Sequence, residues 1–254
     1  MDSHTLLANK VFGMVAEADG DWPTTMQKYG YVVCAVELSV NVSGRNASPD
    51  IVLASDRHGH ALVIECKSGA NVDRGQDRRY SQMSIEDLWG AGVPRSISTH
   101  TPVYAINEEH VARIGGHTRH ALMVFGKRTI FGVGDFGNPG FTSELHAGIE
   151  LKAGAMPDTD VYPFSIRDAP GDIDRRVAWA VEKYLNDRPG EAGKSLATRP
   201  AANAILRHAH PLHRFLSRAH RSELRRAVIR SIMRQEGLGA WWLDPTARWQ
   251  CSPT

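Results

Sequence analysis

The chain has 254 residues, 42% of them hydrophobic and 23% charged, with a net charge of +2; these are the proportions of a folded globular protein. No apolar run nears the roughly 20 residues of a membrane span, residues 1–10 lack the pattern of a secretory signal, and three widely spaced cysteines (Cys34, Cys66, Cys251) argue for a reducing, cytoplasmic setting and against a disulfide frame or zinc ribbon. The charge is uneven: residues 1–150 hold 13 Lys and Arg against 17 Asp and Glu (−4), and residues 151–254 hold 17 against 11 (+6), so a basic C-terminal part follows a slightly acidic one, as suits a polyanionic partner.

In chain order, Leu6, Leu7, Val11, Met14 and Val15 fall at helical spacing and predict a helix over residues 5–18. Pro23 suits the first turn of a short second helix that Gly30 stops. The Val-rich stretch 31–42 predicts one strand. Ile51 to Ala54 and Ala61 to Ile64 are apolar runs on either side of the polar segment Ser55–His60, which contains Gly59. This is a hairpin pattern. Side chains alternate along a strand, so Glu65 and Lys67 point the same way, roughly 7 Å apart, while Cys66 points into packed core. The return strand brings Asp50 beside Glu65. Two carboxylates and an ammonium then meet at one sheet edge. Such carboxylates bind a hard cation through oxygen.

Pro49-Asp50, fourteen intervening residues, then Glu65-Cys66-Lys67 resembles the PD-(D/E)XK nuclease superfamily. The resemblance implies an α+β fold (an α/β sandwich), a restriction-endonuclease-like core of mixed sheet flanked by helices. It implies a Mg2+-dependent nuclease, with Mn2+ able to substitute. Asp50, Glu65 and the Cys66 backbone carbonyl would hold metal, and Lys67 would position or activate water. Gln76 followed four residues later by Tyr80 is similar to that group's Gln-containing helix, which makes Gln76 a fourth site residue and Gln82 its competitor. Glu17 and Glu37 are candidates for a further acidic ligand.

Beyond the turn at 68–71, a single helix is expected over residues 73–89. Strands are expected at 102–106, 121–125 and 129–133. His110, His117 and His120 read as loop residues without partners at metal spacing. Neither a Gly-Lys-Ser/Thr phosphate loop nor a Gly-x-Ser-x-Gly elbow occurs. A helix over 173–185, capped by Asp172, is expected to pack back on the sheet.

Residues 188–200 form the expected linker between a nuclease domain (1–187) and a basic C-terminal segment (201–254). From Arg199 to Arg234 there are nine arginines and one acid, Glu223. Two helices are expected there, Pro211 interrupting the first and Ser222 capping the second, then a small hairpin around Trp241 to Gln250. That order is compatible with a winged helix-turn-helix. Arg218, Arg221, Arg225, Arg226 and Arg230 are the expected nucleic-acid contacts. His208, His210 and His213 lack an evident fourth zinc ligand.

The expected partner is DNA, with RNA left open, and a homodimer suits a double-strand cutter. Two alternatives stay open: an inactive nuclease-fold scaffold that binds nucleic acid, and a regulator acting through the basic segment.

Overall fold

The computed structural model describes residues 2–16, 21–187, 199–237, 241–243 and 249–251. By the grouping of its contacts the chain forms two compact units. One comprises residues 6–159 with 215–217, and the other residues 1–5, 160–214 and 218–254. The expected linker at 188–200 lies outside the described residues except for 199 and 200.

The larger unit is a mixed α+β structure with a seven-stranded sheet among the described residues, in the order β1 (Val32–Val36), β4 (Ile51–Ser55), β5 (His60–Lys67), β6 (Thr99–Asn107), β7 (Ala121–Phe125), β8 (Thr129–Val133) and β9 (Ile149–Glu150). The hairpin sits near its centre. β4 (Ile51–Ser55) and β5 (His60–Lys67) pair antiparallel, with Ile51 opposite Ile64 and Ala54 opposite Ala61. Gly59 supplies the left-handed turn between them (φ 59°). Every residue of the two strands except Lys67 is buried, the pattern of strands covered on both faces.

β6 (Thr99–Asn107) lies parallel to β5, and β7 (Ala121–Phe125) parallel to β6. Parallel neighbours need crossovers. These are α3 (Arg74–Gln82) with α4 (Ile85–Gly90), then α5 (Val111–Gly115). β8 (Thr129–Val133) returns antiparallel to β7, and β9 (Ile149–Glu150) closes that edge after α6 (Pro139–Ala147). One face of the sheet buries Val52, Ala54, Ala61, Val63, Tyr104 and Ile106 against Tyr80, Met83 and Leu88 of the crossover helices and their connection.

The single helix expected over 73–89 is two. Ser84 accepts from the Asp87 N–H while the Asp87 carboxylate accepts from the Ser84 N–H, so α4 begins afresh with a reciprocal cap. The strand expected over 31–42 is also two, β1 (Val32–Val36) and β2 (Val40–Val42), the latter pairing with β3 (Arg45–Ala47). The break falls at Glu37, whose φ is 51°. At the N-terminal end, α1 is Ser3–Gly13 and α2 is Thr25–Lys28, both shorter than the spacing predicts.

In the smaller unit, α7 (Pro170–Asn186) packs on α8 (Arg199–Ala209) and α9 (Arg218–Gly237). Its first turn follows Ala169, which makes no side-chain cap, so Asp172 lies inside the helix and pairs with Arg175. Ser222 likewise lies inside α9, which already starts at Arg218. Pro211 opens a separate 3-10 turn, Pro211–Phe215, because its ring and missing N–H end the preceding helix. β10 (Trp241–Leu243) and β11 (Trp249–Cys251) pair antiparallel.

Candidate active site

Asp50 precedes β4, and Glu65 and Lys67 close β5. The alternation that buries Val52 and Ala54, and Ala61 and Val63, on one face puts Asp50, Glu65 and Lys67 on that same face. The Asp50 Oδ2 accepts the Cys66 N–H at 2.6 Å. Its main-chain carbonyl accepts the Glu37 N–H at 2.8 Å, so the left-handed residue that ends β1 also braces Asp50.

Glu65 is enclosed by donors. Its Oε1 accepts from Lys67 Nζ at 3.0 Å and from Gln76 Nε2 at 2.8 Å, and its Oε2 accepts from the Tyr80 hydroxyl at 2.6 Å. Gln76 joins the two charged groups, since its Oε1 accepts from Lys67 Nζ at 2.5 Å. The i,i+4 spacing on α3 puts Gln76 and Tyr80 on one helix face. Asp73 caps that helix, accepting from the Gly75 and Gln76 N–H groups. Lys67 Nζ also stands 5.6 Å from the centroid of the Tyr104 ring, within cation–π range.

Electrostatics bear on Glu65. Burial raises its pKa first, the nearby Asp50 charge raises it further, and Lys67 and the Tyr80 hydrogen bond pull it back. Burial and the adjoining carboxylate push the Tyr80 hydroxyl well above its usual range, so it stays a donor. Asp50 and Glu65 are only 3% and 7% exposed. Their outlet is the Lys67 and Gln76 end, both half-buried.

The structure thus gathers Asp50, Glu65, Lys67 and Gln76, with Cys66 contributing its backbone N–H and turning its buried thiol to the other face. Gln82 is exposed and outside this network. Glu17 lies outside the described residues. Glu37 does not complete a carboxylate trio: among the described residues no group of three or more His, Cys, Asp and Glu side chains is placed to hold a metal ion. His208, His210 and His213 form no such group either. His210 is instead buried edge-on against Tyr162 and Phe164.

Two features escape the sequence reading. Tyr80 bonds Glu65 directly, where the Gln-x-x-x-Tyr spacing was the available signal. Asp77 is a junction: its Oδ1 accepts from the Tyr104 hydroxyl at 3.1 Å and from the Thr118 hydroxyl at 2.6 Å, with His120 Nε2 at 3.3 Å. His120 therefore has an acidic neighbour that only the fold supplies.

Of the expected nucleic-acid contacts, Arg218, Arg221, Arg226 and Arg230 are exposed on α9 and Arg225 is half-buried. Cavities also open in the larger unit among the described residues. One, of about 350 Å³, is lined by Ala70, Asn71, Val72, Arg74, Arg113 and His117. Another, of about 600 Å³, opens beside Asn107 and Phe125 and has Lys10, Lys127, Glu108 and Glu109 in its wall.

A family model described as the MJECL32 domain matches residues 3–101, less than half of the chain, a span that includes Asp50, Glu65, Lys67, Gln76 and Tyr80. Neither a curated protein nor a solved structure matches the chain.

Proposed function

We propose that this chain is a metal-dependent nuclease of restriction-endonuclease-like fold that hydrolyses phosphodiester bonds of DNA. The observation that carries the reading is the convergence of Asp50, Glu65, Lys67 and Gln76 where the hairpin and α3 meet. The donor set fits a hard cation. Two carboxylates are buried together, and after burial itself it is the Asp50 charge that raises the Glu65 pKa. Asp50 and Glu65, with the Cys66 carbonyl, would hold Mg2+. When bound, that ion supplies Lewis acidity and a lowered pKa for its water.

The chain's own groups supply the rest. The Cys66 N–H fixes Asp50, and Tyr80 fixes Glu65. Gln76 holds the Lys67 ammonium by its carbonyl oxygen, where the cation orients a water or meets the negative charge that develops on phosphate. Access requires the Gln76 bridge to open, because it spans Lys67 and Glu65. The exposed arginines of α9 suit contacts to the backbone of the same substrate.

Plasmid, linear and single-stranded DNA, each with Mg2+, Mn2+ or EDTA, test the reading. Cleavage that needs the divalent ion and disappears in Asp50→Ala, Glu65→Ala and Lys67→Ala supports it. Undiminished cleavage by all three folded variants overturns it.

A second reading has its own observation. Both Glu65 oxygens are already satisfied inside the protein, as in a nuclease fold kept only for binding. DNA binding without cleavage under either ion is its signature.

A further inference from the structure

The 350 Å³ recess lies next to the site along the chain. Ala70, Asn71 and Val72 in its wall begin three residues after Lys67, and Arg74 is two residues before Gln76 on α3. Arg113 and His117 reach it from α5 and the turn behind it. Two contacts brace its sides. His110 Nε2 lies 3.2 Å from the Ser68 carbonyl oxygen, tying the entry to α5 to the end of β5. The Thr118 hydroxyl bonds Asp77, tying the segment behind α5 to α3.

The recess is basic, and no acidic residue is in its wall. Arg74 and Arg113 are exposed and make no ion pair among the described residues. The acid next in sequence, Asp73, turns its carboxylate to the N–H groups of its own helix. Guanidinium forks match phosphate oxygens in geometry as well as charge. The larger cavity is less suited, because Glu108 and Glu109 stand in its wall.

We propose that Arg74, Arg113 and His117 form a phosphate-binding subsite, which grips the nucleic-acid backbone beside the phosphodiester presented to Lys67. The inference rests on the nuclease reading and adds to it the direction in which the strand leaves the site: from Lys67, across the first turn of α3, towards α5.

The test is binding of a fluorescein-labelled 30-base-pair duplex and of a labelled 30-nucleotide single strand to the full chain in EDTA, across a salt series. The variants are Arg74→Ala/Arg113→Ala, Arg74→Lys/Arg113→Lys and Arg57→Ala. Arg57 lies in the β4–β5 turn, at the opposite end of β5, and controls for net charge. The double alanine variant is expected to bind about tenfold more weakly, with the slope of log affinity against log salt shallower by about 1. The double lysine variant should recover most of the slope and only part of the affinity, and Arg57→Ala should match wild type. Wild-type affinity and slope in the double alanine variant overturn the subsite, as does an equal loss in Arg57→Ala. If wild type cleaves once Mg2+ replaces the EDTA while the double variant binds as wild type does, the subsite alone falls. If wild type binds neither probe, the nuclease reading falls and takes the subsite with it.

Discussion

After burial, Asp50 is what raises the pKa of Glu65, although one carboxylate precedes β4, the other lies on β5, and each is held by its own donors. Two buried acids placed together cost stability when both are ionised. With its folded pKa above the ordinary 4.5 of a glutamate, Glu65 binds its proton more tightly folded than unfolded. Its contribution is therefore fully present below about pH 4.5 and is lost as pH rises through the folded pKa. Asp50→Asn removes the neighbouring charge and retains an oxygen to accept the Cys66 N–H. Its melting temperature at pH 7 should rise by about 2–4 °C for each kcal/mol recovered, while cleavage disappears. A lower melting temperature in a thermal scan would contradict this.

Tyr80→Phe deletes one hydroxyl from the network. The Glu65 Oε2 loses its donor in a buried setting, at a cost of about 1–3 kcal/mol in urea denaturation. Because the Tyr80 bond lowers the Glu65 pKa, the acidic limb of the pH–rate profile should move to higher pH. Slower cleavage with an unmoved limb would make Tyr80 only a packing residue.

Asp77→Ala unties α3 from Tyr104 and Thr118 and should lower both stability, by about 1–3 kcal/mol, and kcat. The KM for DNA should change less, since the Asp77 carboxylate is turned to Tyr104 and Thr118 within the protein. Unchanged kcat at full occupancy would sever the link between this junction and the site.

His60 makes the larger unit acid-sensitive. Its Nδ1 pairs with the Tyr31 hydroxyl at 2.9 Å and its Nε2 with the Thr101 hydroxyl at 3.0 Å. Burial pushes its pKa down to about 4. The folded ring thus resists a proton that the unfolded chain accepts near pH 6.5. Stability present above pH 6.5 is lost as pH falls towards 4, on the order of 3 kcal/mol at 1.36 kcal/mol per pH unit. Melting followed from pH 7 to 4 should show this slope, and an NMR titration of the His60 ring with a midpoint near 6.5 would refute it.

Replacing Arg218, Arg226 and Arg230 together by Ala should weaken DNA binding evenly across sequences and reduce the salt slope by about 3 if each meets a phosphate. Strong dependence of the loss on base sequence would assign α9 a groove-reading role instead.

Much of this site is readable before any coordinates because it is local. The hairpin runs, Gly59 and strand alternation suffice to put Asp50, Glu65 and Lys67 on one face, and the four-residue spacing adds Gln76 and Tyr80. The Ser84-x-x-Asp87 cap and the Asn138-Pro139 start of α6 also carried legible signals, but the apolar periodicity around Ser84 runs on through the break and the glycines around Asn138 mask the helix. The Glu37 turn and the Asp77–Thr118–His120 cluster had no local signature. One needs a strained backbone angle and the other a meeting of segments about forty residues apart.

The pairing of Asp50 with Glu65 across a tight hairpin has a kinetic side. Closing a loop of fourteen residues costs little chain entropy, and contacts of short sequence separation form fast. Lys67 arrives with the same strand, whereas Thr118 must wait for two crossovers. During synthesis the acidic pair would therefore assemble while the parallel half of the sheet is still being made, and the enclosing helix would arrive as a lid on a nucleus already formed.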